Sequence, residues 1–297
     1  MVMRSHGTGL GFFERISRGW KMTRLGMAVV RADPELMVYT FLSAVFSIVA
    51  IGGAISGSFG FSAIFATDCV DCEPGDGFWI AHLTIWFFFY LVISVIIVFW
   101  NAAIVASAYE RLSSGSNPSF SYGISQAMKC LPQILVWGVI SGTVGLVLKI
   151  LEGISKDHEA PIPIRAIAGI ASFILGIAWW VATFFVVPMI VLERAGVIDS
   201  MSKSSDLFKK TWGENIASYV GVELLMTISV FLLFGVSVPL MMLGDLGVAL
   251  GLVILAVGLV FTILFFSTVD AVNRASLFYY AKTGYTPPMA AKAGIRF

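Results

Sequence analysis

Charge is scarce in this chain. Only 12% of its 297 residues are Asp, Glu, Lys or Arg, about half the share that covers the surface of a soluble domain. A cytosolic enzyme, a secreted domain and a disordered scaffold are excluded together. Histidine and cysteine, three of each, are too few and too scattered for a metal centre or a disulfide framework. His6, His82 and His158 stand alone in different segments. No H-E-x-x-H, nucleophile elbow or Walker pattern is present. Gly7-Thr8-Gly9-Leu10-Gly11 follows no strand and lacks the full dinucleotide spacing, so it reads as a flexible terminus. The expectation is no catalytic residue, no metal, no cofactor and no nucleic-acid partner.

What the chain has instead is apolar length: 58% apolar or aromatic residues and a mean hydropathy of +0.90. About 20 such residues cross the hydrocarbon core as a helix. Six runs qualify, at about 36–57, 78–109, 131–151, 163–192, 215–241 and 246–272, with 273–297 as a tail. They predict an all-α polytopic bundle in a single integral membrane domain. The first run follows about 35 mixed residues with no small-residue cleavage site, which argues against a cleaved signal peptide.

Lys and Arg accumulate in cytoplasmic segments, and 16 of the 19 fall before the first run, between the second and third, between the fourth and fifth, or after the sixth. Lys149, Lys156 and Arg165 are the other three, on the side that also holds Asp68, Asp71, Glu73 and Asp76. Both termini are therefore expected in the cytoplasm.

Three stretches on that side have helical amphipathic periodicity. In 12–31, Phe12, Phe13, Ile16, Trp20, Thr23 and Met27 share a stripe, and Arg15, Arg18, Lys21 and Arg24 occupy the remainder. Asp33-Pro34 ends it, with Asp33 placed to cap the next helix and proline suited to its first position. Phe120, Ile124, Ala127, Met128 and Leu131 repeat the pattern, as do Ile198, Met201, Phe208 and Trp212 beside Lys203, Lys209 and Lys210. The expectation is contact with anionic lipid, against the alternative of packing on cytoplasmic loops. Each stretch precedes an outward and a returning run. The returning runs carry Phe99-Trp100, Phe184-Phe185 and Phe265-Phe266, each pair a little over 80 residues after the last, which suggests three helix-plus-hairpin units.

Cys69 and Cys72 form a C-x-x-C in the acidic exported loop, read as a local disulfide or incidental pair ahead of metal or redox work. Cys130 is expected to pack. Gly53/Gly57, Gly138/Gly142 and Gly247/Gly251 are spaced for close helix approach, within the fold or between copies. Ionisable groups inside hydrocarbon are costly unless paired or wet, which singles out Glu223, with Asn101 at similar depth and Asp270 shallower near the end of the sixth run, as a shared polar pocket.

Trp20-Lys21 with Asp33-Pro34-Glu35, Trp100-Asn101-Ala102-Ala103, Val187-Pro188 through Glu193, Lys203-Ser204 to Thr211-Trp212-Gly213-Glu214, and Leu277-Phe278-Tyr279-Tyr280-Ala281 with Thr283-Gly284 carry a resemblance over nearly the whole chain. Together they resemble an uncharacterised family of prokaryotic six-helix integral membrane proteins. More distantly, the chain is similar to membrane domains fused to glycerophosphodiester phosphodiesterases. The resemblance implies a prokaryotic cell membrane and a lipid-facing or scaffolding role, and carries over no hydrolase activity because the phosphodiesterase domain is absent. The expectation is a non-enzymatic membrane protein acting through lipid contact or as a subunit or scaffold of a larger assembly. The alternatives are a transporter or channel built around Glu223, and an intramembrane enzyme on lipid.

Overall fold

The computed structural model describes residues 12–65 and 76–292, and all the regular structure in them is α-helical. Six helical stretches are long and apolar enough to cross a membrane: Leu36–Ser62, Phe78–Ser114, Leu131–Lys156, Ile162–Glu193, Ile216–Met241 and Asp245–Thr283. Their outward surfaces are those of lipid-facing helices, with Phe59 and Phe231 each 73% exposed and Leu83 69%.

In chain order the helices are α1 (Phe12–Ala32), α2 (Leu36–Phe65), α3 (Asp76–Ser114), α4 (Phe120–Lys129), α5 (Leu131–Lys156), α6 (Ile162–Thr183), α7 (Val186–Glu193), α8 (Val197–Lys210), α9 (Trp212–Met241), α10 (Asp245–Thr283) and α11 (Pro288–Lys292). Hairpins α2/α3, α5/α6 and α9/α10 are the outward and returning pairs. Three short helices, α1, α4 and α8, precede the outward spans: α4 lies on α3, and α8 on α6 and α7, the returning helices of the preceding units, whereas α1 lies chiefly along α9 and also on α10. The series closes on itself, so three units form a cyclic arrangement in which α3, α7 and α10 meet.

The core sits where the returning helices converge. Its largest fully buried side chains include Tyr39, Phe185, Phe278, Met22, Leu112 and Met189. All three spaced glycine pairs pack within the fold: Gly53 and Gly57 face Phe89 and Ile85, Gly138 and Gly142 face Val95 and Ser94, and Gly247 and Gly251 face Leu240 and Ser237.

Two spans differ from the sequence expectation. The fourth is two helices, broken at Phe184-Phe185. Pro188 has no N–H to offer the Phe184 carbonyl, and the Phe185 N–H turns aside to donate to Ser204 Oγ at 3.0 Å. The sixth span continues beyond residue 272 to Thr283, where Gly284 ends it in the left-handed region at φ 73°. Its last turns are polar but buried: Ser276 Oγ donates to Met22 Sδ at 3.2 Å, and Asn273, 2% exposed, lies against Gly26 of α1. Composition alone reads such a segment as tail because small polar side chains lower its hydropathy.

Candidate polar site between the fifth and sixth spans

Glu223 stands on α9 one turn after Tyr219, whose hydroxyl hydrogen-bonds it. Asp270 stands on α10 one turn before Arg274, and the same i,i+4 geometry closes an ion pair. Arg274 Nη2 and Nε lie 2.7 and 3.0 Å from Asp270 Oδ2. Both side chains of the pair are 27% exposed. Tyr219 lies within electrostatic reach of Glu223, Asp270 and Arg274 together, so the four groups form one cluster across α9 and α10.

An aromatic wall from α6 and α8 faces this cluster. The Arg274 guanidinium lies 5.4 Å from the centre of the Phe184 ring, and Trp180 is 5.4 Å from Tyr219 and 5.1 Å from Phe208. The helix break at Phe184 is thus part of the site. Trp180 Nε1 is enclosed without a hydrogen-bond partner among the described residues. Glu223 pairs with no Lys or Arg among the described residues. The arrangement sets one ion pair, Asp270 with Arg274, beside this Glu223 carboxylate, which is held by the Tyr219 hydroxyl.

Asn101 does not join the cluster. No hydrogen bond or ion pair links it to either acid among the described residues, and its Oδ1 is enclosed without a partner. It belongs to α3, which packs on α10, the helix of Asp270, but is not one of the main neighbours of α9, the helix of Glu223. Sequence reasoning missed Arg274, counted with the tail, and Tyr219, passed over as part of an apolar run. The i,i+4 spacing of Tyr219 to Glu223 and of Asp270 to Arg274 was the signal that pairs them.

The expected lipid stripe divides. Trp20 is 40% exposed while its ring edge also rests at Gly221 of α9. Lys21 is half-buried and Arg24 exposed. Thr23, expected on the stripe, is fully buried and donates to Ser218 O at 3.1 Å. Phe208, expected to face lipid, is 4% exposed, because Trp180 and Phe184 enclose it. The side chains of Phe12, Phe13, Arg15, Ile16, Arg18 and Trp212 lie outside the described residues, as do Cys69 and Cys72. Cys130 is buried and donates its thiol to Ile190 O at 3.3 Å. No group of three His, Cys, Asp or Glu able to hold a metal occurs among the described residues.

Fold and site together define an all-α polytopic membrane protein with a polar cluster at one margin of its apolar layer. Residues 80–288 match the family of unknown function DUF6159, and the chain belongs to that family. No curated protein matches it.

Proposed function

We propose that this is a non-enzymatic integral membrane protein of the prokaryotic plasma membrane, with both termini cytoplasmic. It acts by holding anionic lipid around its cytoplasmic end, as a scaffold or membrane subunit. One observation carries the reading. Each of the three short helices presents one exposed large apolar side chain and one exposed cation without an ion pair among the described residues: Trp20 with Arg24 on α1, Met128 with Lys129 on α4, and Ile198 with Lys210 on α8. An exposed apolar side chain and an exposed cation on the same surface helix fit a helix at the headgroup level of an anionic leaflet, where each such charge adds about 1 kcal/mol. The cyclic packing distributes the three pairs around one end of the bundle.

Native mass spectrometry of protein extracted from equal mixtures of phosphatidylglycerol and phosphatidylcholine tests this. The expected result is preferential retention of phosphatidylglycerol, lost in Arg24→Gln/Lys129→Gln/Lys210→Gln. Equal retention of the two lipids by the unaltered protein would overturn the reading.

A second reading rests on the Glu223 carboxylate, which has no Lys or Arg partner among the described residues: a path for a cation or proton along the α9/α10 cluster. Reconstituted flux abolished by Glu223→Gln is the result that would place it first.

A further inference from the structure

The three returning helices leave a gap where they converge. A cavity of about 300 Å3 opens between α3, α4, α7 and α10, at the lower end of the range for small-molecule sites. Three aromatic rings line it: Tyr109 of α3, Tyr122 of α4 and Phe278 of α10. Its charged groups are Glu110, Glu193 and Lys282. The cavity is separate from the Glu223 cluster, sharing none of its residues.

The charges in this space do not balance. Lys282 Nζ is 2.6 Å from Glu193 Oε1, so those two answer each other. Glu110 has no Lys or Arg partner among the described residues. The adjacent Arg111 instead acts on Asp33 at the end of α1. What reaches the Glu110 carboxylate is the Tyr122 hydroxyl, donating over a long 3.5 Å. Tyr122 in turn takes a hydrogen bond from Gln126. Burial and the neighbouring Glu110 carboxylate push the Tyr122 hydroxyl above its ordinary pKa, so it stays a donor at neutral pH.

Three classes of occupant can be compared. An anion would meet two carboxylates and a single cation already spent. A neutral apolar molecule would strip water from Glu110 and return nothing for it. A small organic cation would pair with Glu110 and lay its charge or its alkyl body against the rings, where aromatic faces attract cations. The site already holds one example of that contact, the Lys282 ammonium 5.8 Å from the centre of the Phe278 ring.

We propose that this cavity binds a small organic cation, an amine or guanidinium compound, with its charge on Glu110 and its body among Tyr109, Tyr122 and Phe278. Because α3, α7 and α10 all contribute to the walls, an occupant ties the three units together where they converge.

Calorimetric titration of the detergent-purified full chain with phenethylamine and agmatine, against phenethyl alcohol as the uncharged match, tests the proposal. Saturable binding of at least one amine, with none for the alcohol, is expected. Glu110→Gln is expected to weaken it about tenfold or more, the loss of one charge-assisted contact. Gln126→Phe fills the cavity from the α4 side while leaving the carboxylate in place, and is expected to abolish binding even if Glu110→Gln fails to fold. Absence of saturable amine binding, equal binding of the alcohol, or unchanged binding in either folded variant would overturn the proposal.

Discussion

Tyr39 joins three helices through one hydroxyl. From α2 it donates to Phe120 O of α4 at 2.7 Å and lies 3.1 Å from Ser107 Oγ of α3, while its ring stacks on Phe120 at 4.6 Å. Tyr39→Phe keeps the stacking and loses the hydroxyl. It is expected to destabilise the fold by about 1 kcal/mol, more if the Phe120 carbonyl stays unpaired, as read by denaturation in mixed micelles. Gly123→Ala is expected to cost more. A Cβ there would fall 2.7 Å from the Ala103 carbonyl oxygen, which is backbone and has nowhere to go. Asp33 gives a pH signature. Its carboxyl is buried and accepts from the Glu35 N–H, and burial outweighs the Arg111 charge to raise its pKa above 3.8. A folded-state pKa above the unfolded one means that the fold binds the proton more tightly. Stability should therefore rise as pH falls from above the folded value toward the unfolded one. Asp33→Asn keeps a capping oxygen and should remove that rise, which thermal melts across the acidic range would record. The Asp33-Pro34 cap was legible in the sequence because capping is local. The role of Tyr39 was not, since its partners lie 68 and 81 residues away.

Among the elements, α8 shows where a periodicity argument stops. Its amphipathic pattern is plain in the sequence, but the inward face is Val197, Ser200, Ser204, Leu207 and Phe208, and Ile198 faces outward at 82% exposure. Ser204 turns inward to accept the free N–H of the broken fourth span, whereas Ser200 is buried with its Oγ unpartnered among the described residues. Ser204→Ala leaves the Phe185 N–H buried without an acceptor, and such an orphan costs about 1–3 kcal/mol. A loss of thermal stability in that range is expected, with Ser202→Ala, on the exposed side of α8, near neutral. Equal effects of the two substitutions would contradict this account of the break. α10 makes a related point. Helix propensity and the αL glycine at Gly284 carry the helix to Thr283, while hydropathy stops it eleven residues earlier. Hydropathy finds what lipid covers, and these residues are covered by α1 and α3.

At the scale of the molecule, the six spans and the three-unit organisation were readable because both are patterns of hydropathy and spacing. The closure of the units was not. It depends on which returning helix each short helix chooses, and α1 reaches across the sequence to α9 and α10. Depth along the spans put Glu223, Asp270 and Asn101 in one expected pocket; the contacts join Glu223 to Tyr219 and Asp270 to Arg274 and give Asn101 no hydrogen bond or ion pair to either acid among the described residues. If the three short helices form one cytoplasmic collar, orientation is the most direct check. Single cysteines at Ser114 and Glu159, both exposed, can be placed in a chain whose Cys69, Cys72 and Cys130 are replaced, then challenged in intact cells with a membrane-impermeant maleimide. The account predicts labelling at position 159 from outside and at position 114 only after permeabilisation; labelling of 114 in intact cells, with 159 protected, would contradict it.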